Sequence, residues 1–178
     1  MKLEKSKTAE NLQTAYLRES GAFNEYTFYA RKAKMEGYEQ VYRTFTEFAN
    51  NEQAHATIWF NLFHGIKGTK ENLLDAADLE NFERRVMYSG FAKTAREEGF
   101  TEIASLFDAV AKIENAHEQT YKTLANKIEN GEMFASEKEV TWKCLNCGHT
   151  QKGLSAPEKC PVCSHPKAYF TVALKQSK

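Results

Sequence analysis

Two short segments, Glu52-Gln53-Ala54-His55 and Glu114-Asn115-Ala116-His117, decide how this sequence is interpreted. On an α-helix, a Glu and a His three residues apart lie about 60° apart around the axis, so both side chains point into one space. Each segment can therefore offer a carboxylate and an imidazole to a metal ion. Helical bundles that hold two metals use two such Glu-x-x-His pairs and a further Glu from each of two other helices.

The two segments belong to an internal repeat. His117 follows His55 by 62 residues, and the same offset relates six further identical pairs: Tyr26 and Tyr88, Ala30 and Ala92, Ala33 and Ala95, Glu36 and Glu98, Gly37 and Gly99, and Phe45 and Phe107. A repeat of this length, composed of helix, glycine and helix, predicts two helical hairpins about a pseudo-twofold axis. Glu-x-x-His pairs also arise by chance on charged helices, but two in register within a repeat favour metal binding.

Composition sets the outer limits. With 178 residues, 42% of them hydrophobic, the chain can bury one core and carry a small second domain. The formal net charge of zero gives no electrostatic reason to expect nucleic acid or an anionic membrane as a partner. The first residues, MKLEKSKTAENLQ, lack the apolar run of a signal peptide, and no stretch approaches transmembrane length. We therefore expect a cytoplasmic protein.

The first half predicts two helices and a third carboxylate. Apolar residues recur at helical spacing over about residues 6–36 and 38–64, and Gly37 is placed to end the first helix in a left-handed conformation. Glu19 lies seven residues before Tyr26, on the inward stripe, where an unpaired carboxylate is costly to bury. A buried acid needs a cation, so Glu19 is a candidate metal ligand. The alternative is that Glu19 leans out to solvent.

The second half predicts helices over about residues 76–98 and 101–130. The preceding segment from Gly65 is expected to form a crossover, with Thr69 as the N-cap of a short helical turn.

The third predicted helix contains two acids, Glu80 and Glu83, on either side of Asn81. The offset of 62 would make position 81 the counterpart of Glu19. The two acids indicate either one extra ligand or a local register shift such as a π-bulge. The alternative is a solvated acid beside Arg84 and Arg85.

The C-terminal segment predicts a second metal site. After a polar linker at residues 132–140, two C-x-x-C pairs follow, separated by twelve residues: Cys144 and Cys147, then Cys160 and Cys163. In a chain without a secretion signal such pairs favour a metal over disulfides, and their spacing is typical of a tetrahedral four-thiolate site. Zinc and iron share this geometry, so the spacing alone leaves both open.

These features together resemble the rubrerythrin family. The resemblance rests on LRESGAFNEY, FTEFANNEQAHA, ENFERRVMY, FAKTAREEGF and IENAHE, and then on WKCLNCGH and CPVCSHPKAYF. It implies a mainly α fold: a ferritin-like four-helix bundle over residues 1–131, the linker 132–140, and a small rubredoxin-like metal-knuckle domain over 141–178. One departure is Ser164, which stands where the second knuckle of the family commonly has Gly.

The resemblance also implies roles for individual residues. The di-iron (Fe2+/Fe3+) ligands would be Glu19, Glu52, Glu80, Glu83, Glu114 and His117, with His55 binding in the reduced state. One iron would move between Glu83 and His55 as the oxidation state changes. Tyr26 and Tyr88 would hydrogen-bond the ligand carboxylates and, with Glu83 and His55, form the predicted catalytic group. Cys144, Cys147, Cys160 and Cys163 would bind one mononuclear iron.

The implied activity is that of a non-haem peroxidase that reduces hydrogen peroxide to water in oxidative-stress defence. The sequence contains no glycine-rich dinucleotide fingerprint, so electrons would come from a separate NAD(P)H-dependent reductase or a rubredoxin-type donor through the four-cysteine iron. A head-to-tail homodimer is also implied. Two other functions stay open: a ferroxidase or iron-handling protein, and a zinc-ribbon interaction module on a helical bundle.

Overall fold

A computed structural model describes residues 2–173 of the chain. It divides into two compact units, Met1–Lys67 and Gly68–Lys178. The division falls between the two predicted hairpins, and the predicted domain boundaries, 1–131, 132–140 and 141–178, stay a prediction. Within the described part, none of the helices combines the length and the apolar character that crossing a bilayer requires.

The first unit is a helical hairpin. After a 3₁₀ turn, Leu3–Lys5, it consists of α1, Lys7–Met35, and α2, Glu39–Phe63. The Ser6 hydroxyl caps α1 by accepting a hydrogen bond from the backbone amide of Ala9 at 3.3 Å. Gly37 ends the helix with a φ of 82°, a conformation that suits a residue without a Cβ. Both helices lie within one residue of their predicted bounds.

The second unit begins with a continuous helix in three parts. These are α3, Thr69–Phe82, a π-helical segment, Glu83–Tyr88, and α4, Ser89–Glu97; α5, Thr101–Glu129, follows. The prediction that the third helix begins near Ala76 was wrong, as was the N-cap at Thr69, because the cap is Gly68 and Thr69 is already helical. No helix-breaking residue separates Thr69 from Ala76, so the predicted short turn simply continues as a helix.

The π-helical segment confirms the register shift that Glu80 and Glu83 indicated. It places one extra residue in the continuous helix, which leaves backbone groups out of the regular α-helical pattern. The Ser89 hydroxyl donates to the Arg84 carbonyl at 2.9 Å and satisfies one of these groups.

The internal repeat is visible in the side-chain packing of the two hairpins. In the first, the ring centroids of Tyr26 and Tyr29 lie 6.0 and 5.6 Å from that of Phe45. In the second, those of Tyr88 and Phe91 lie 6.0 and 5.5 Å from that of Phe107. The two three-ring clusters are related by the offset of 62 residues, so sequence and structure repeat together.

The C-terminal part is a three-stranded antiparallel sheet of order β2-β1-β3, formed by β1, Ala135–Cys144, β2, Thr150–Ser155, and β3, Phe170–Val172. Its core contains Trp142, Cys144, Ala156, Cys160 and Phe170. Strand β1 begins inside the predicted linker 132–140, so most of that segment belongs to the sheet.

Candidate metal centres

The first cluster of candidate ligands lies within the first hairpin. Glu19 comes from α1, whereas Glu52 and His55 come from successive turns of α2. His55 Nδ1 lies 3.2 Å from Glu52 Oε2 and 3.8 Å from Glu19 Oε2, and one ligand atom of each residue lies within 4.8 Å of the others. Two carboxylates and one imidazole therefore converge on a space that one cation could occupy.

The two carboxyl groups of this cluster interact with each other. A hydrogen bond with Glu52, and then burial, raise the pKa of Glu19 above its ordinary value. The same hydrogen bond with Glu19 lowers the pKa of Glu52. The pKa values of the two carboxyls thus move apart, as expected when like charges converge.

Trp59 belongs to this site, although its sequence position gave no reason to assign it a role. It follows His55 by one helical turn, and its Nε1 is buried without a hydrogen bond of normal geometry. The indole nevertheless lies close enough to Glu19 to lower the pKa of that carboxyl. An indole N–H is a donor only, so it favours the charged carboxylate that a metal requires.

The second cluster repeats the first within the second unit. Glu80 comes from α3, and Glu114 and His117 come from α5. His117 Nδ1 lies 2.8 Å from Glu114 Oε2 and 3.5 Å from Glu80 Oε1, and the three residues again offer ligand atoms within 4.8 Å of one another.

The π-helical segment explains why Glu80, and not Asn81, is the counterpart of Glu19. Glu19 precedes Tyr26 by seven residues, whereas Glu80 precedes Tyr88 by eight. The extra residue is accommodated between Glu80 and Tyr88, where the helix widens. Carboxylate and tyrosine therefore keep equivalent places in both hairpins despite the insertion.

Glu83 and Tyr88 lie beside the second cluster without belonging to it. Burial, and then the charge of Glu114, raise the pKa of Glu83. Burial also raises the pKa of Tyr88, followed by the charges of Glu83, Glu114 and Glu80. The second hairpin therefore concentrates three carboxylates around one tyrosine.

The four cysteines form the third cluster. Cys144 Sγ lies 3.7 Å from Cys163 Sγ, and Cys147 Sγ lies 3.6 Å from Cys160 Sγ. A tetrahedron with metal–sulfur bonds of about 2.3 Å has sulfur–sulfur edges of about 3.8 Å, whereas a disulfide requires about 2.05 Å. The spacing thus fits a metal ion and excludes disulfides between these two pairs.

Backbone groups at both knuckles act on the thiols. The amide of His165 is the main cause that lowers the pKa of Cys163 to about 5. The amide of His149 likewise lowers the pKa of Cys147, but the facing thiols and burial outweigh it and raise that pKa to about 12. The turns that present these amides have left-handed residues, Gly148 with a φ of 77° and Ser164 with a φ of 63°. Ser164 thus adopts the conformation for which Gly is better suited.

All the predicted ligands except Glu83 lie in one of these three clusters, and the charge of Glu83 raises the pKa of Glu80 in the second. Tyr26 packs against Tyr29 and Phe45. The mixed oxygen and nitrogen donors of the two triads suit iron, and the four thiolates suit iron or zinc. The residues present thus fit a di-iron centre and a mononuclear metal.

Comparison with known proteins gives a consistent result. The family model described as "Rubrerythrin" matches residues 10–125 and 71–145, and that described as "Rubrerythrin, rubredoxin-like domain" matches residues 142–171. The chain is 41% identical to Rubrerythrin-1 of Clostridium acetobutylicum, with 96% of each chain covered. It is 43% identical to a rubrerythrin of Porphyromonas gingivalis, with 93% of this chain and 89% of the other covered. A solved mixed-valence state of nigerythrin is 31% identical, covers 94% of this chain with 87% of its own, and has a TM-score of 0.36.

Proposed function

Because this chain belongs to the rubrerythrin family, we propose that it is a non-haem di-iron peroxidase that reduces hydrogen peroxide to water. The observation that carries the proposal is the combination of two Glu, Glu, His triads with a four-thiolate site in one chain. Oxygen and nitrogen ligands suit a centre that reacts with a small oxidant. Four thiolates, two of them on the buried residues Cys144 and Cys160, suit a centre that only transfers electrons.

The family assignment confirms three predictions made from the sequence. These are the resemblance itself, the fold class of a ferritin-like bundle followed by a rubredoxin-like domain, and the cofactors, a di-iron centre and one mononuclear iron. Family members are di-iron oxidoreductases, and peroxide reduction is the specific reaction proposed for this one.

The proposed ligands of the di-iron centre are those predicted from the sequence: Glu19, Glu52, Glu80, Glu83, Glu114 and His117, with His55 binding in the reduced state. The pKa values of Glu19, Glu80 and Glu83 are raised by hydrogen bonding between carboxyls, by burial and by neighbouring carboxylates, and bound cations would offset this repulsion. Five carboxylates bring five negative charges, close to the four positive charges of two ferrous ions or the six of two ferric ions.

The reaction consumes two electrons and two protons for each peroxide and yields two water molecules. A di-iron centre bound by these ligands would supply the two electrons. Tyr88 stays protonated because burial and three nearby carboxylates raise its pKa. Tyr88 is therefore a hydroxyl donor at neutral pH, able to hydrogen-bond the carboxylates that surround it.

Electrons are proposed to enter through the four-cysteine iron. Because the sequence contains no dinucleotide fingerprint, the electron source is a separate NAD(P)H-dependent reductase or a rubredoxin-type donor. A head-to-tail homodimer, implied by the resemblance to the family, is part of the same proposal.

The test compares two oxidants on the same reduced protein. Anaerobically reduced, iron-loaded protein is mixed with hydrogen peroxide or with oxygen, and di-iron oxidation is followed by absorbance. We expect faster oxidation by peroxide, with the iron content per chain unchanged afterwards. Equal or slower reaction with peroxide contradicts the peroxidase, and iron accumulating with each turnover would favour the iron-handling function.

A further inference from the structure

The second hairpin contains a buried charged cluster beside its metal triad. Glu118, the residue after His117, is only 3% exposed and is the one fully buried charged residue within residues 2–173. Arg84 Nη2 donates to Glu118 Oε2 at 2.9 Å, and Lys122 Nζ donates to Glu118 Oε1 at 2.6 Å. Both oxygens of the buried carboxylate are therefore bound by cations.

The ion pair between Arg84 and Glu118 joins the π-helical segment to α5. Arg84 directly follows Glu83, and Glu118 directly follows His117. Arg84 Nη2 also lies 3.4 Å from Asn81 Oδ1, and the Arg84 carbonyl accepts the Ser89 hydroxyl. Arg84 is thus bound to α3, α4 and α5, the three helices that flank the segment.

The first hairpin has no equivalent of this cluster. The offset of 62 residues relates Glu118 to Ala56 and Lys122 to Phe60. Ala56 is 7% exposed, so a small apolar residue is buried at the corresponding position of the first hairpin. The first hairpin also has a regular helix in place of the π-helical segment. The charged cluster and the widened turn therefore occur together.

The energetic cost of this ion pair indicates that it does more than hold the helices of the hairpin together. The pair removes the Glu118 carboxylate and much of the Arg84 side chain from water, and apolar residues of similar size at such places often give equal or better stability. Ala56 shows that an apolar residue can occupy the corresponding position in the first hairpin. An ion pair adds geometric specificity, because the planar guanidinium binds a carboxylate only in a defined orientation.

We propose that Arg84 and Glu118 are positioning residues that tie the π-helical segment to α5 and so fix the Glu83 carboxylate beside Glu114. Neither residue needs to touch metal or peroxide; each acts through its neighbour in sequence. The inference rests on the proposed role of Glu83 as an iron ligand. Loss of a partner in the shell around metal ligands typically costs about 10–100-fold in metal affinity or activity.

The first variant for the test is Glu118→Gln, which keeps the volume of the side chain and removes its charge. It also leaves the partly buried Arg84 guanidinium without its counter-charge, which destabilises the hairpin. The deciding variant is therefore Arg84→Met/Glu118→Met, which deletes the pair and fills its space with apolar atoms. Glu129→Gln is the matched control, because it breaks the exposed pair of Lys70 and Glu129, at 2.7 Å, which also joins α3 to α5.

The readouts are the iron-57 Mössbauer spectrum and the iron content, with the four-cysteine iron as internal reference, and the rate of peroxide turnover. In the double variant we expect a changed signal for one di-iron site, or loss of one of its two irons, with turnover reduced about tenfold or more. The four-cysteine iron and the Glu129→Gln protein should match the wild type.

A wild-type di-iron spectrum and turnover in Arg84→Met/Glu118→Met overturns the inference, whatever Glu118→Gln does. A change confined to Glu118→Gln would be due to the unpaired guanidinium. Failure of the proposed function looks different, because the wild-type protein itself would then lack the di-iron signal or the peroxide reaction.

Discussion

At the second cysteine knuckle, Ser164 holds a φ of 63°, a left-handed conformation that costs a residue with a Cβ about 1–2 kcal/mol. We expect Ser164→Gly to stabilise the small domain by about 1 kcal/mol, since Gly relieves this strain but is more flexible when unfolded. Thermal unfolding followed by the absorbance of the four-cysteine iron measures the change.

The first knuckle supplies the reciprocal control. Gly148 has a φ of 77°, and a Cβ added there would meet no heavy atom within 4 Å. Gly148→Ser should therefore destabilise the domain by a similar amount through backbone strain alone. Unchanged or lowered stability in Ser164→Gly would refute the argument.

Also at the residue scale, the clustered carboxylates predict how stability depends on pH. The pKa of Glu80 is raised from 4.5, first by burial, so folded metal-free protein binds this proton more tightly than unfolded protein does. The contribution of Glu80 to the free energy of unfolding therefore falls as pH rises from 4.5 through the raised pKa. Glu80→Gln removes this contribution.

In calorimetry of the metal-free proteins, we therefore expect the Tm of Glu80→Gln to exceed that of the wild type by an amount that grows with pH and reaches about 3 °C at pH 7. The comparison with wild type matters because the pKa values of Glu52 and Glu118 are lowered, and these groups act in the opposite sense. Iron loading should reverse the order of the two proteins. Exposed Glu102 is the control position, and an advantage independent of pH would contradict the prediction.

At the scale of elements, the π-helical segment is the feature that makes the two hairpins different. Deleting Arg85 restores the spacing of seven residues between carboxylate and tyrosine that the first hairpin has. We expect a regular helix, a Glu83 side chain turned away from Glu114, and peroxide turnover lowered about tenfold or more. Helical content should stay at the wild-type level by circular dichroism.

Glu83→Gln is the comparison for this deletion, because it removes the carboxylate and leaves the backbone unchanged. If Glu83 is the reason for the widened turn, both variants lose the same di-iron signal. Wild-type turnover in the deletion variant would show that the segment has no role in the site.

At the same scale, some local sequence signals were sufficient to predict helix boundaries and others were not. Gly37, Gly99 and Gly131 have positive φ values and end helices where the sequence predicted. The start of α3 at Thr69 was missed because a polar, weakly amphipathic segment resembles a loop when only its pattern is considered. The π-helical segment was anticipated only because two acids bracketed the repeat position.

At the scale of the whole molecule, electron entry and peroxide reduction are proposed to take place at separate metal sites. Cys160→Ser removes one of the four thiolates that hold the mononuclear iron. We expect reductase-driven turnover to fall at least tenfold, whereas chemically reduced di-iron should react with peroxide at the wild-type rate. The two rates are measured on one preparation.

Exposed Ser155, which is in the same small domain, provides a control in Ser155→Ala. Both of its rates should equal those of the wild type. Unchanged reductase-driven turnover in Cys160→Ser would show that electrons bypass the four-cysteine iron.

The sequence by itself determined the repeat, most helix ends, the four-thiolate site and the two Glu-x-x-His pairs, because each of these depends on neighbours one helical turn or one knuckle apart. Only the tertiary structure decided that Glu80 is the counterpart of Glu19, since the widened turn at Glu83–Tyr88 shifts the register. It also revealed the contact of Trp59 with Glu19 and the pair of Arg84 and Glu118. These contacts join residues on different helices, and no local pattern in the chain specifies which side chains meet there.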